Sequence, residues 1–430
     1  MHPKQEVLLP VVIGVLEDND PSVVLPALDT LSEAGETVVP ALIKALENEK
    51  ARYWACVVLA GMGPTAKSAV PALAEALTDP QPEIRMQAAI ALGEIGPAAK
   101  PAVPALAERL NDKQRSVQYG AVFAIGRIGD PSATKALSAF TNSDDPFLNM
   151  ISTWAVAKIN PTDKQLVETA VKTLMAGLQS EQPSVRQGAA RALFELQAPA
   201  EVVGPELMKV LTDKDPQVVA EAVDALASLG AKVVPSTLQS LKNPDLAIIS
   251  ARILGRIGPD AQQATPALAS ALSSQNAEFR HEAAYALARI GPGAAAAVPA
   301  LIQAVGHEDF QTSVAAVYAI GSLGPAAKSA APAIKQRLEA ENFVVRVTAA
   351  WALVQVEPES KEVLGVAIPI LAQGLSHERE FVRIHAATAL GQIGPAAREA
   401  IPALEAAQDD PRGAVRSAAG RALERMVRKE

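Results

Sequence analysis

What this chain has little of narrows it first. Its 430 residues include one cysteine, Cys56, which rules out an internal disulfide framework and leaves the redox compartment undecided. Cys56 stands among Val57, Val58 and Leu59, where a small buried hydrophobe is expected. Five histidines without an HExxH spacing, and one thiol, cannot assemble an ordinary zinc site. No apolar run nears the roughly 18 residues that a membrane span needs. The opening MHPKQEVLLP has no basic region, apolar stretch or small-residue cleavage site, so no secretory leader is visible and the cytoplasm is expected. Positive charge is short as well: 39 Lys and Arg against 47 Asp and Glu give a net charge of −8 and a pI near 5.4. That balance disfavours nucleic acid as a partner, because such binding draws most of its affinity from Lys and Arg on phosphate. Strand-type alternation is absent, and neither GxSxG, GxxxxGK[ST] nor a strand-borne GxGxxG occurs.

What is abundant is Ala, Leu, Val and Ile, which carry most of a 49% hydrophobic fraction while aromatics are only 3%. The apolar spacing is helical, at i, i+3, i+4 and i+7. One phrase organises it. Residues 84–97 read IRMQAAIALGEIGP, and relatives of that ending return as AGMGP (60–64), IGRIGD (125–130), LGRIGP (254–259), LARIGP (287–292), IGSLGP (320–325) and LGQIGP (390–395). The step is mostly 33 residues, as from Pro64 to Pro97 and from Pro259 to Pro292 to Pro325. Self-similarity at that period marks a solenoid of stacked helix pairs.

Each repeat reads as two helices. The first carries Pro-Ala-Leu or a variant, at Pro40, Pro71, Pro104, Pro266, Pro299, Pro332, Pro369 and Pro402; the second carries the recurring phrase. Gly96 supplies a left-handed cap and Pro97 stops continuation. Because the next proline comes about seven residues after the break, the first helix either starts late or bends there. Polar turns such as Thr78-Asp79-Pro80, Asp213-Lys214-Asp215-Pro216 and Asp409-Asp410-Pro411 offer an Asp side chain to the next helix. Breaks fall near residues 35, 63, 96, 129, 160, 198, 230, 258, 291, 324, 357 and 394, giving about thirteen helix pairs. Two repeats are stretched, from Leu137 to Leu174 and from Leu338 to Leu371, and are read as longer first helices. The expectation is an all-α, right-handed α-α superhelix forming one continuous solenoid over 1–430. Its middle, about 130–258, is degenerate, and about 396–430 form a polar capping repeat.

The motif Ile84-Arg85-x-x-Ala88-Ala89-x-Ala91-Leu92-Gly93-x-Ile95-Gly96-Pro97 resembles the HEAT repeat, and in particular the short HEAT-like repeats of the phycobilin lyase type. Its hydrophobic-Arg pair recurs at Val185-Arg186, Phe279-Arg280, Val345-Arg346, Val382-Arg383 and Val415-Arg416. The resemblance implies an Arg paired with the Asp of its own preceding turn, as Asp79 with Arg85 and Asp410 with Arg416. It covers nearly the whole chain and implies an armadillo-like helical fold, but its members span scaffolds, adaptors, lyases and oxygenases. His281-Glu282 is similar to the His-Glu pairs with which deoxyhypusine hydroxylase, a HEAT-like enzyme, holds iron. The same register elsewhere reads Met86-Gln87, Tyr119-Gly120, Gln187-Gly188 and Val314-Ala315, so the iron site fails on count and His281-Glu282 is expected to be a surface pair.

The remaining signal is a stripe. In AAxALGxIG the two open positions project from the second helix, which lines the concave side of HEAT solenoids. The first open position includes Phe123, Trp154, Arg191, Arg252, Tyr285, Tyr318 and Trp351, and one turn earlier come Trp54 and Tyr119. The second includes Glu94, Arg127, Lys158, Glu195, Arg256 and Arg289. All three tryptophans and three of four tyrosines fall on this face, and the row of charges is net basic near the middle. Either these side chains fill ridges between helices and pair within the array, or they line a groove for a partner, with Trp, Tyr and Arg as anchors. The expected function is a non-enzymatic protein–protein interaction scaffold, monomeric, with no catalytic residue, metal or cofactor and no membrane partner. Its groove residues are Trp54, Tyr119, Phe123, Arg127, Trp154, Lys158, Arg191, Arg252, Arg256, Tyr285, Arg289, Tyr318 and Trp351, taking an acidic or amphipathic protein segment. A chromophore-binding protein like the phycobilin lyases, or a nucleic-acid-binding solenoid, is the alternative.

Overall fold

The computed structural model describes residues 35–427, together with residues 10, 12–17 and 31. Among these residues there is helix and no strand. The chain divides into two compact units, Met1–Ala198 with Asp215–Glu221, and Pro199–Lys214 with Ala222–Glu430.

In the first unit the α-helices are α1 Val39–Leu46, α2 Arg52–Met62, α3 Val70–Ala76, α4 Pro82–Ile95 and α5 Val103–Arg109. They continue with α6 Arg115–Ile128, α7 Thr134–Ser138, α8 Pro146–Ile159, α9 Lys164–Gly177 and α10 Pro183–Leu196. Next come α11 Ala200–Val210 and α12 Pro216–Ser228, whose residues change unit at Ala222. The second unit then holds α13 Val234–Ser240, α14 Ala247–Ile257, α15 Thr265–Ala271, α16 Ala277–Ile290, α17 Val298–Val305 and α18 Phe310–Leu323. It ends with α19 Ala331–Lys335, α20 Phe343–Val356, α21 Lys361–Gly374, α22 Glu380–Ile393, α23 Ile401–Ala407 and α24 Gly413–Val427. These are twelve pairs among the described residues; the pair expected before residue 35, and the last residues of the cap, lie outside them.

The Gly-Pro phrase sets the form of each pair. Gly96 ends α4 at φ +75°, ψ −141°, a conformation open to glycine alone and different from the left-handed cap that the sequence suggests. A seven-residue 3-10 helix, Gly96–Ala102, follows, and α5 begins only afterwards with Pro104 in its first turn. The first helix therefore starts late and does not bend. Where Asn160-Pro161 and Glu357-Pro358 replace Gly-Pro, the preceding helix ends at negative φ, and Asp163 or Ser360 caps a full 14-residue helix, α9 or α21. These are the two long first helices of the stretched repeats. Two continuous helical runs, Arg52–Ala76 and Ala277–Val305, are long and apolar enough to cross a membrane by composition. Each is broken by a positive-φ glycine, Gly63 or Gly291.

Leucines of the Pro-x-Leu and Leu-Gly phrases meet between the layers. Leu73, Leu92, Leu106, Leu254, Leu268, Leu287, Leu301, Leu390 and Leu404 are all fully buried, each contributing about 1.5–3 kcal/mol. The even-numbered helices stack on one another at close range. A Cβ at Gly93 would stand 2.9 Å from the Cα of Ala124, and one at Gly255 3.0 Å from the Cα of Ala286.

The Arg–Asp pairing runs opposite to the expected direction. Arg85 does not pair with the carboxylate of Asp79, its own turn's Asp. Its Nε and Nη2 donate to both carboxylate oxygens of Asp112 in the next turn, at 2.9 and 2.8 Å. Its Nη1 donates to the carbonyls of Asp79 and Pro80, at 2.8 and 3.0 Å. Arg383 does the same with Asp410 and with the carbonyls of His377 and Glu378. Arg52 reaches Asp79 at 2.6 Å, and Arg416 takes only the carbonyls of Asp410 and Pro411. Arg85 and Arg383 each close their own turn and bolt it to the following repeat, because the fork of donors matches a carboxylate on one side and two carbonyls on the other. Tyr119 and His281, one residue further round their helices, reach the same joint. Tyr119 donates to Asp145 at 2.6 Å, and His281 lies 2.9 Å from Asp309 and 3.1 Å from Thr312. His281-Glu282 is thus not a surface pair: His281 is half-buried in a joint between repeats, and Glu282 faces Arg252.

Candidate binding grooves

The second, even-numbered helix of each repeat presents the stripe, and among the described residues a concavity lies on it in each unit. In the second unit Tyr285 on α16, Tyr318 on α18 and Trp351 on α20 form a continuous aromatic ledge. Their centroids are 6.0 Å apart for the tyrosines and 5.1 Å for Tyr318 with Trp351, the latter pair stacked within 19°. Trp351 can lie flat because α18 carries Gly321 beneath it, where any Cβ would overlap the indole. Tyr285 is 45% exposed, and Phe381, on α22 at the far side, is 47% exposed. Arg252, Arg256 and Arg289 stand along the other wall of a groove of about 560 Å3. Arg252 pairs with Glu282 at 2.7 Å and Arg256 with Asp224, whereas Arg289 makes no ion pair among the described residues. Burial pushes the Tyr285 phenol up, with Tyr318 and Glu282 adding to the effect, so it stays a neutral donor.

The first unit uses the same parts differently. Phe123 on α6 stacks on Trp154 of α8 at 6.0 Å and 14°, and a Cβ at Gly126 would stand 2.6 Å from the indole. Here the charges close over the rings. Arg127 bonds Glu94 at 2.9 Å and Glu195 at 3.2 Å; Arg191 lies 3.8 Å from Glu94 and 3.5 Å from Glu195. The four residues tie α4 and α6 to α10 across the concave face. Both guanidiniums sit 5.6 Å from the Phe123 ring centre, and Lys158 donates to the Glu195 carbonyl. Trp154 is consequently only 3% exposed.

Several expected groove residues therefore change role. Trp154 is packing, not an exposed anchor. Tyr119 is committed to Asp145, which holds its phenol up at about 12 after burial, the larger cause. The arginines in the middle of the stripe are largely paired, so the inner face is not a bare basic strip. Trp54 packs edge-on against Tyr53 and lines neither concavity. Arg252, Arg256, Tyr285, Arg289, Tyr318 and Trp351 do line one groove together. Two aromatics were missed: Phe147 lines the first concavity and Phe381 the second. Each lies seven residues before the first open position of its helix (Trp154, Thr388), so extending the same helical face one more turn finds both. Among the described residues no three His, Cys, Asp or Glu side chains gather as a metal site. Cys56 is buried, and burial raises its thiol to about 12, which keeps it protonated and inert.

The family model for HEAT repeats matches residues 39–118, 103–193, 171–243, 234–312 and 331–424. The chain belongs to the HEAT-repeat family. No curated protein matches it. Among solved structures this HEAT-repeat chain is similar to yeast importin-beta, Kap95p, at 13% identity and a TM-score of 0.55, over 93% of this chain and 63% of that one. Kap95p in complex with Nup1 gives 13% and 0.54, over 97% and 67%. Kap121p gives 13% and 0.51, over 99% and 54%. The chain thus spans about half to two thirds of these proteins, and the likeness is one of fold, an all-α solenoid.

Proposed function

We propose that this HEAT-repeat solenoid is a non-enzymatic protein-binding scaffold, and that the groove of its second unit takes an extended acidic or amphipathic protein segment. The observation that carries this is the aromatic ledge of exposed Tyr285 and half-buried Tyr318 and Trp351, beside Arg252, Arg256 and Arg289, the last without an ion pair among the described residues. Isolated exposed aromatics are ordinary, but a contiguous aromatic row that lines a groove and is rimmed by guanidinium groups has the composition of a binding hot spot. A partner's apolar side chains would cover the rings while its carboxylates meet Arg289 and compete with Glu282 for Arg252. Binding of Nup1 by Kap95p, a protein of the same fold, is consistent with a solenoid that works by holding protein segments.

Fluorescence anisotropy tests it. A labelled ten-residue peptide alternating Glu with Leu and Phe, and its Lys counterpart, are titrated with the full chain and with a Tyr285→Ala/Arg289→Glu variant. Micromolar binding of the acidic peptide alone, weakened at least tenfold in the variant, is expected. Equal binding of both peptides, or an unchanged affinity in the variant, overturns the assignment.

A further inference from the structure

The groove of the second unit is rich in hydrogen-bond donors and poor in acceptors. The guanidiniums of Arg252, Arg256 and Arg289, the phenols of Tyr285 and Tyr318 and the indole of Trp351 all line it. Neither phenol hydroxyl, nor the indole Nε1 of Trp351, bonds anything among the described residues, and none of the three is a buried orphan, so each is open to a ligand. In the first unit, by contrast, the Tyr119 phenol is taken by Asp145. On the acceptor side, Glu282 is the one carboxylate on the walls, and its Oε1 holds Arg252 at 2.7 and 3.2 Å. The Thr348 hydroxyl is tied to the Val344 carbonyl of its own helix. His385 Nδ1 lies 2.7 Å from the Phe381 carbonyl. The helix backbones beneath are bonded within themselves. A segment laid here therefore finds donors for its carbonyls and few acceptors for its amides.

We propose that the acidic segment held in this groove is proline-rich and lies as a polyproline II helix, its carbonyls accepting from Tyr285, Tyr318 and Trp351 while its carboxylates meet Arg289 and Arg252. This rests on the reading of the groove as a peptide site and narrows it to one backbone form. An α-helix spends its carbonyls internally and leaves the three donors idle. An ordinary extended strand brings amide N–H groups that find little to bond, which costs affinity once they are covered. Proline carries no N–H, and a polyproline II helix has no internal hydrogen bonds, so all its carbonyls are free. Its preset φ also reduces the entropy lost on docking, which is why proline-rich segments suit aromatic-lined grooves. The guanidinium rim sets the sign of the remaining side chains, favouring Glu and Asp over Lys and Arg.

Fluorescence anisotropy on the full chain tests it with three labelled ten-residue peptides. The first places four prolines among Glu, Leu and Phe, the second has alanine for each proline, and the third is the first with Lys for Glu. The proline peptide should bind about fivefold or more tighter than the alanine peptide, and about tenfold or more tighter than the Lys peptide. Tyr285→Phe/Tyr318→Phe keeps both rings and removes only the hydroxyls, and should weaken the proline peptide about tenfold. Equal binding of the proline and alanine peptides, or full affinity in the double variant, overturns the inference; where the Lys peptide is still excluded, the acidic-segment reading stands without it. Binding of the Lys peptide as tight as that of its Glu counterpart, or no binding of any peptide, overturns both. Should the double variant fail to fold, the peptide comparison still decides.

Discussion

Removing Arg85 should cost more than a surface ion pair and should be felt in two repeats at once. Its guanidinium makes a two-pronged contact with Asp112 at 2.9 and 2.8 Å and holds the carbonyls of Asp79 and Pro80 at 2.8 and 3.0 Å. The Asp112 side chain is 5% exposed, so Arg85→Ala leaves a carboxylate with little water to replace the lost donors. Breaking such a pair costs about 3–5 kcal/mol when fully buried; with Arg85 itself 13% exposed, about 3 kcal/mol is expected. Arg85→Lys keeps the charge but cannot serve both sides, and should cost about half of that. Arg346 is an internal control: it holds the carbonyls of Ala340 and Glu341 and stacks on Phe343, but no Asp waits in the next turn. Arg346→Ala should therefore cost only about 1 kcal/mol. Because stability in repeat arrays is a sum of local and nearest-neighbour contributions, hydrogen exchange is a better assay than a single melting curve. Arg85→Ala should accelerate exchange at the amides of both Gln81 and Gln114, which rest on Asp79 and Asp112. Loss of protection at Gln81 alone, or a cost equal to that of Arg346→Ala, would refute the idea that this residue couples repeats.

Two further outcomes follow from single observations. Gly321→Ala puts a methyl group against Trp351 and 3.0 Å from the Cα of Ala352, so urea unfolding should show a loss of about 1–2 kcal/mol, overpacking outweighing the gain in helix propensity. Acid should loosen the joints between repeats: hydrogen bonds from Thr312, His281 and Arg280 hold the Asp309 carboxyl below its ordinary range, and the Arg85 contact lowers that of Asp112. Depressed carboxyls contribute stability that is complete above the unfolded value of about 4 and lost as pH falls through the folded one, so far-UV circular dichroism should stay flat to about pH 4 and decline below it.

Most of the fold was legible because it is written in period and punctuation. A 33-residue step, Gly-Pro stops and Pro-Ala-Leu starts fix helix pairs without any tertiary information. What the sequence could not show was direction. Asp79 lies six residues before Arg85 and Asp112 lies 27 residues after it, and only the stacking distance makes the second the nearer carboxylate. The site was half legible for a related reason. The stripe of Trp, Tyr and Arg is a local, helical pattern, and the residues it gathered in the second unit do share a groove. Net charge along a row says nothing about pairing across it, so Glu94 and Glu195, members of the same row as Arg127, counted as minor offsets when they are its counterions.

That row also explains why Trp154 is buried while its counterpart Trp351 is only half-buried. Phe123–Trp154 over Gly126 and Tyr318–Trp351 over Gly321 are the same device, an aromatic at the first open position stacked on a tryptophan above a glycine. In the first unit the second open positions around it are Glu94, Arg127, Lys158 and Glu195, two cations flanked by two carboxylates that reach across the concave face. In the second unit they are Arg256, Arg289, Ser322, Gln355 and Gln392, with no carboxylate in the row, and Gln355 and Gln392 bond only each other, at 2.7 Å. Arg256 pairs with Asp224, which lies outside the row, and Arg289 has no ion pair among the described residues, so neither is drawn over the rings by the row itself. Ser322→Glu restores the missing sign 33 residues from Arg289, the same interval that separates Glu94 from Arg127. It should pair with Arg289, add no more than about 1 kcal/mol of stability as an exposed pair, and weaken an acidic peptide at least tenfold. Unchanged peptide affinity would mean that Arg289 does not face the ligand and that the openness of the groove has another cause.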